Sequence, residues 1–262
     1  FTLPDDPADR ALADAELRKR IARRICDYNE WALQVSLQNR NISCFVGIDP
    51  VVMDERAMLT EIEDKIRRGA RGVKSQFTDC GILANDRRLW PLYDYLQARE
   101  IPLQMVCAEW APGLNRPVHC NEALADFPKL RLIFSHIGHG HHFGQGTDAE
   151  FLEIARKYPN VCGDLSLRLP EVIDGHVAPD ALVAHLRRIG TDRVFYGSNF
   201  SLNEMLRPGP APAPGDFQMS ETLKGLAALA TLPLTEDERA DIAGRNFRRW
   251  VGVEHGAARV MR

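Results

Sequence analysis

The sequence has almost no excess of charge of either sign, because 33 Lys and Arg stand against 36 Asp and Glu for a net −3. Such a balance supplies no basic field for a phosphate backbone and no attraction to an anionic lipid surface. Nucleic acid and membrane are therefore not the expected partners, and a small neutral or anionic molecule is. The chain also lacks a disulfide framework: Cys26, Cys44, Cys80, Cys107, Cys120 and Cys162 lie far apart, and no CxxC occurs. Reduced thiols in a cytoplasmic enzyme fit that spacing. There is no secretory h-region and no apolar run long enough for a bilayer. HExxH is missing, and no HxH pair ends an early strand, so spacing alone does not define a metal site.

What is present is a repeat. Six short apolar runs, at 43–49, 72–77, 101–108, 130–136, 161–167 and 193–199, recur at intervals of roughly 30 residues, the length of a strand-plus-helix unit. The pattern predicts an α/β fold, a (β/α)8 TIM-like barrel formed as one domain from the 262 residues. Eight strands close such a barrel and six are visible, so the first one or two strands are expected upstream of Phe1, a first residue that is not methionine. Residues 10–37 carry Leu12, Leu17, Ile21, Ile25, Trp31 and Leu33 at near-helical spacing, which predicts an amphipathic helix outside the barrel. Further helices are expected from Asp54 to Arg68 with Gly69 as stop, from about Asp86, from an Asp148 cap to Tyr158, and from Pro179 to Ile189. Thr235 with Glu238 reads as a capping box for a helix ending at Gly244. The Pro/Ala/Gly-rich segment 207–215 reads as a loop at the barrel mouth, a lid or an extended connector.

Alternation along the strands sorts the side chains, since the outer set must be apolar to meet the helices. Lys74 and Gln76 then face inward from the second run, His136 from the fourth, and Asp164 and Ser166 from the fifth, with Arg168 just beyond. In the sixth, Asn199 shares a side with Gly197, whose missing side chain would leave room for a ligand. Polar groups gathered in a barrel interior are costly unless they are paired or used. His136 can be a base, an acid or a ligand, whereas Asn199 orients but takes no proton. Asp164 is placed to set the charge of Lys74 or His136. Glu109 and His139, the latter in SHIGHGHHFGQG, complete the candidate list.

In order along the chain, GIDP (47–50), GARGVK (69–74), LWPLYDYLQAREIPLQM (89–105), FPKLRLIFSHIG (127–138), NVCGDLSL (160–167), IGTDRVFYGSN (189–199) and GRNFRRW (244–250) resemble the amidohydrolase superfamily. The likeness is to its amidohydrolase-related branch of small-molecule hydrolases and non-oxidative decarboxylases. The resemblance implies a distorted barrel that often holds one divalent ion, with ligands on the first, fifth, sixth and eighth strands. Carried over, His136 is similar to the sixth-strand histidine, Asn199 stands in the place of the eighth-strand aspartate, and the fifth-strand histidine falls at Val106, next to Cys107. The expected cofactor is therefore none, or at most one zinc or manganese ion on His136 if upstream residues supply ligands.

Two classes of function fit. The first is an enzyme that hydrolyses or decarboxylates a small carboxylated molecule, with Lys74 and Arg168 on the anion, Gln76 and Asn199 orienting the substrate, and His136 moving the proton under the influence of Asp164. The second is a non-catalytic relative that binds a ligand or partners an active subunit. A homodimer is the expected assembly.

Overall fold

The computed structural model describes residues 6–107, 115–138, 143–144, 147–199 and 220–252. They form two compact units, one of residues 1–106 with 119–132 and the other of 107–118 with 133–262. In the first, α1 (Pro7–Gln38) starts where Asp6 accepts the amides of Ala8 and Asp9 and Pro7 presets the first turn. After it come β1 (Val46–Gly47), α2 (Glu55–Arg68), β2 (Val73–Ser75), the single turn α3 (Phe77–Cys80), α4 (Trp90–Ala98), β3 (Leu103–Val106) and α5 (Cys120–Asp126). Asp54 caps α2, and Gly69, at φ 126°, ends it as the sequence predicts. The inward face of α2 carries Met58, Ile62 and Lys65 at helical spacing. Lys65 is buried among Glu30 (3.1 Å), Asp64 (3.0 Å) and Glu61 (3.5 Å), which ties α2 to α1.

The second unit holds most of β4 (Leu132–Ser135), then α6 (Asp148–Lys157), β5 (Val161–Asp164), α7 (Arg168–Ile173), α8 (Pro179–Ile189) and β6 (Val194–Phe195). Both β4 and β5 are buried at every residue, as strands of a parallel sheet flanked by helices must be. α8 turns Leu182, Val183, Leu186 and Ile189 inward, each worth roughly 1.5–3 kcal/mol of burial, and stops at Gly190. The capping box of Thr235 and Glu238 is present. The helix it opens loses helical geometry at Gly244 (φ 173°, ψ −21°), where the sequence places its stop. It passes through a wide turn over Asp241–Arg245 into a last helix, Asn246–Val251, because Asn246 is buried and donates to the carbonyls of Thr191 (2.6 Å) and Val194 (2.8 Å).

All six predicted strands are present and run in the order β1-β2-β3-β4-β5-β6, parallel where their pairing registers, as in Gly47 with Lys74 and Asp164 with Phe195. The architecture is α/β. No helix among the described residues is long and apolar enough to cross a membrane.

At one end of that order, β1 points the amides of Val46 and Ile48 at β2, to Gly72 (2.8 Å) and Lys74 (3.1 Å). The N–H and C=O of Gly47 therefore face away from β2, as unpaired edge groups do. Asn29 of α1 meets both: its Oδ1 accepts the Gly47 amide at 2.7 Å and its Nδ2 donates to the Gly47 carbonyl at 2.9 Å. One carboxamide thus does the work of a neighbouring strand. Asn29→Ala will lower the unfolding free energy by about 1 kcal/mol, the lower end of the cost of leaving backbone partners unmet, because Gly47 is only half-buried. Urea denaturation measures this, and an unchanged midpoint would mean that water replaces the amide without loss.

Candidate active site

Three chain segments of the second unit meet at the carboxyl ends of β4, β5 and β6. His136 follows β4 directly with φ at 63°, in the left-handed region. Alternation beyond Ser135 therefore does not describe it; a turn of the backbone aims the ring. Asp164 ends β5, and Ser166 lies in the turn that follows, closed by Leu167 at φ 66°. The strand is thus shorter than the predicted run to Leu167, and the turn rather than strand parity brings Asp164 and Ser166 together. Asp164 Oδ1 accepts the backbone N–H of His136 (3.0 Å), the N–H of Ser166 (3.1 Å) and the hydroxyl of Ser166. His136 Nδ1 stands 2.7 Å from Ser166 Oγ, 3.2 Å from the Ser166 carbonyl and 4.0 Å from Asp164 Oδ1. All three residues are buried.

Gly197, just past β6, packs against this group: a Cβ there would lie 3.0 Å from both Asp164 Oδ1 and Ser166 Cβ. The sequence reading gave that space to a ligand, but the Asp164 carboxylate and Ser166 fill it. Asn199 is exposed and left-handed, at φ 50°.

Arg168 is placed differently from an anion-binding arginine. It is fully buried at the start of α7, with Nη2 2.6 Å from Asp148 Oδ1 and Nη1 3.3 Å from each Glu171 oxygen. The other Asp148 oxygen accepts the amide of Gly144 (2.9 Å), and Glu171 Oε2 accepts that of Phe143 (3.1 Å). Arg168 therefore faces two carboxylates that also fasten the backbone at 143–144. Asp148 is the first residue of α6 rather than its cap, since its carboxylate is engaged by Arg168 and Gly144. Sequence reasoning missed Asp148 and Glu171 as a buried pair. The available signal was acidic residues beside buried apolar ones, Phe151 and Leu169, in segments that flank an inward arginine.

His185 of α8 lies against this cluster, its ring edge-on to Phe143 with centroids 5.0 Å apart, and Nε2 has no hydrogen-bond partner among the described residues. Burial holds its pKa below the ordinary histidine value, against the pull of Asp148 and with the push of Arg188 and Arg168. The neutral ring is favoured in the folded state, so its contribution to stability is complete above about pH 6.5, the unfolded value, and is lost as pH falls below it. The unfolding free energy, taken from urea denaturation between pH 7.5 and 5.5, should fall by at most about 1.4 kcal/mol per pH unit from this group. His185→Phe should flatten that slope, and an equal slope in the variant would assign the decline to other groups.

In the first unit Lys74 is half-buried on β2 and Gln76 exposed at its end, opposite in parity to the buried Val73, Ser75 and Phe77. Also in that unit the Cys80 thiol is pushed up to about 12, chiefly by burial and then by Asp49, so it is a donor and not a nucleophile. Val106 ends β3, and the buried Cys107 sulfur accepts from Asn115 at 3.0 Å. Glu109, His139 and the loop 207–215 lie outside the described residues.

No group of three or more His, Cys, Asp or Glu side chains among the described residues could hold a metal ion. His136 and Asp164 are only two side chains, fewer than the three or four a divalent site needs. The described donor set does not fit a divalent ion.

A family profile described as amidohydrolase matches residues 2–253. The chain belongs to the amidohydrolase family. No curated protein matches it. Among solved structures it is similar to an uncharacterized TIM-barrel protein from Bordetella bronchiseptica, with 18% identity and a TM-score of 0.61 over 86% of this chain and 72% of that one. It is similar as well to a putative 2-pyrone-4,6-dicarboxylic acid hydrolase from Pseudomonas putida, with 19% identity and a TM-score of 0.60 over 86% and 77% of the two chains. A dihydroxybenzoic acid decarboxylase from a Polaromonas species, solved with manganese, aligns at 12% identity and a TM-score of 0.62 over 90% and 76%. These neighbours share the fold, and two of them carry the names of a putative hydrolase and a decarboxylase.

Proposed function

We propose that this chain is a hydrolase of a small carboxylated cyclic ester, with His136 as the group that moves the proton. The observation that supports this reading is the buried hydrogen-bonded series Asp164, Ser166, His136 at the carboxyl ends of β4 and β5. A carboxylate 4.0 Å from the imidazole favours the ring's charged form, and therefore favours taking a proton from water. In the reaction, the water oxygen bonds to the ester carbonyl carbon while its proton passes to His136. The imidazolium then returns that proton to the ring oxygen as the acyl–oxygen bond breaks. Non-oxidative decarboxylation of an aromatic acid is the second reaction the family allows, with the imidazolium protonating the ring carbon that loses carbon dioxide.

Two probes separate these, taken from the named substrates of the structural neighbours: 2-pyrone-4,6-dicarboxylate for ring opening and 2,6-dihydroxybenzoate for carbon dioxide release. Loss of pyrone absorbance without gas is the expected result. Release of carbon dioxide alone would make the enzyme a lyase. Turnover of neither at millimolar concentration would favour the ligand-binding reading and remove this one.

A further inference from the structure

We infer that Ser166 is a positioning residue that locks the ring of His136 in the Nδ1–H tautomer, so that Nε2 is the nitrogen that exchanges protons. The inference deepens the proposed function and rests on it for the word exchange; the tautomer itself rests on hydrogen-bond logic alone.

Asp164 Oδ1 takes two backbone N–H groups, from His136 and Ser166, and an ionised carboxylate accepts without donating. The contact between Ser166 Oγ and the same oxygen therefore needs the hydroxyl proton. A serine has one such proton, so only lone pairs of Oγ remain for His136 Nδ1 at 2.7 Å. The second neighbour of Nδ1 is the Ser166 carbonyl oxygen at 3.2 Å, which also only accepts. Both contacts ask Nδ1 for a proton. A bare Nδ1 would set its lone pair against two oxygens in a buried place where no solvent screens the repulsion. In the neutral ring the lone pair is then on Nε2.

The same logic separates Ser166 from a nucleophile. An attacking serine gives its proton to the imidazole. Here the hydroxyl proton goes to Asp164, and the side chain is buried. Ser166 instead carries the influence of Asp164 to the ring across the 4.0 Å that separates them. Asp164 adds a second restraint through the backbone N–H of His136, at the one residue of the three whose φ is positive.

The test reads the tautomer directly and needs no substrate. Long-range proton–nitrogen correlation spectra of the full chain, labelled with nitrogen-15 at histidine, distinguish a protonated Nδ1 from a protonated Nε2. The His136 signal is assigned by its absence in His136→Asn. The expected wild-type spectrum shows Nδ1 protonated and Nε2 bare at neutral pH, and an Nε2–H ring would overturn the inference without any variant. In Ser166→Ala the shorter Nδ1 contact is gone and the longer one, to the carbonyl at 3.2 Å, is left, so the second tautomer should gain population. Turnover of the active probe should fall roughly 10–100-fold in that variant, with KM unchanged, as for other groups that orient a reacting histidine. A Ser166→Ala spectrum identical to wild type would also overturn it. An Nδ1–H ring in a protein that turns over neither probe would uphold the tautomer and remove the catalytic reading, whereas turnover with an Nε2–H ring would do the reverse.

Discussion

His136→Asn will lower turnover by roughly 10²–10⁴-fold, the usual contribution of a positioned acid–base group. Asparagine is chosen because it accepts the left-handed backbone at φ 63° better than most residues, and its amide N–H can replace Nδ1–H as a donor toward Ser166. The fold should survive: thermal melting should stay within a few degrees of wild type, because the N–H of residue 136 still reaches Asp164. What asparagine cannot do is carry a proton. Full activity in the variant would show that the proton moves elsewhere and that the buried series has another purpose.

The second large effect falls on stability. Arg168→Met removes a guanidinium that lies between Asp148 and Glu171 with no exposed surface, taking its charge away from two buried carboxylates. Breaking a buried ionic group in this way costs about 3–5 kcal/mol. Each acid keeps one backbone amide, from Gly144 and Phe143, which places the expected loss toward the lower part of that range. Neutralising the acids as well, with Asp148→Asn and Glu171→Gln added, should recover part of the loss. Chemical denaturation of the single and triple variants decides it, and equal losses in both would show that packing of the arginine stem, not its charge, is the larger contribution.

The central strands β4 and β5 were legible because they bury both faces, and runs such as LRLIFS leave no other use for their residues. The helix boundaries at Asp54, Gly69 and Pro179 were legible because capping and stop chemistry is local. The site was legible only as a set of residue types. His136, Asp164 and Ser166 were readable as inward polar groups, but their contacts depend on two left-handed residues, His136 and Leu167, that no alternation rule encodes. Arg168 was the harder case. Its two partners come from separate helices, α6 and α7, and a charge that reads as available in one dimension is neutralised in three. Gly197 misled for a related reason, because an absent side chain signals a close approach without naming the visitor.

The carboxamide of Asn29 on the Gly47 backbone also bears on how this chain behaves at high concentration. Any extended peptide that docks along β1, whether from a neighbouring molecule or from a nascent copy on a ribosome, has to evict that side chain before it gains its first bond. Colloidal behaviour of the Asn29 variants, followed by light scattering during refolding, would therefore report on a gatekeeper that sits on a helix instead of on the strand it guards.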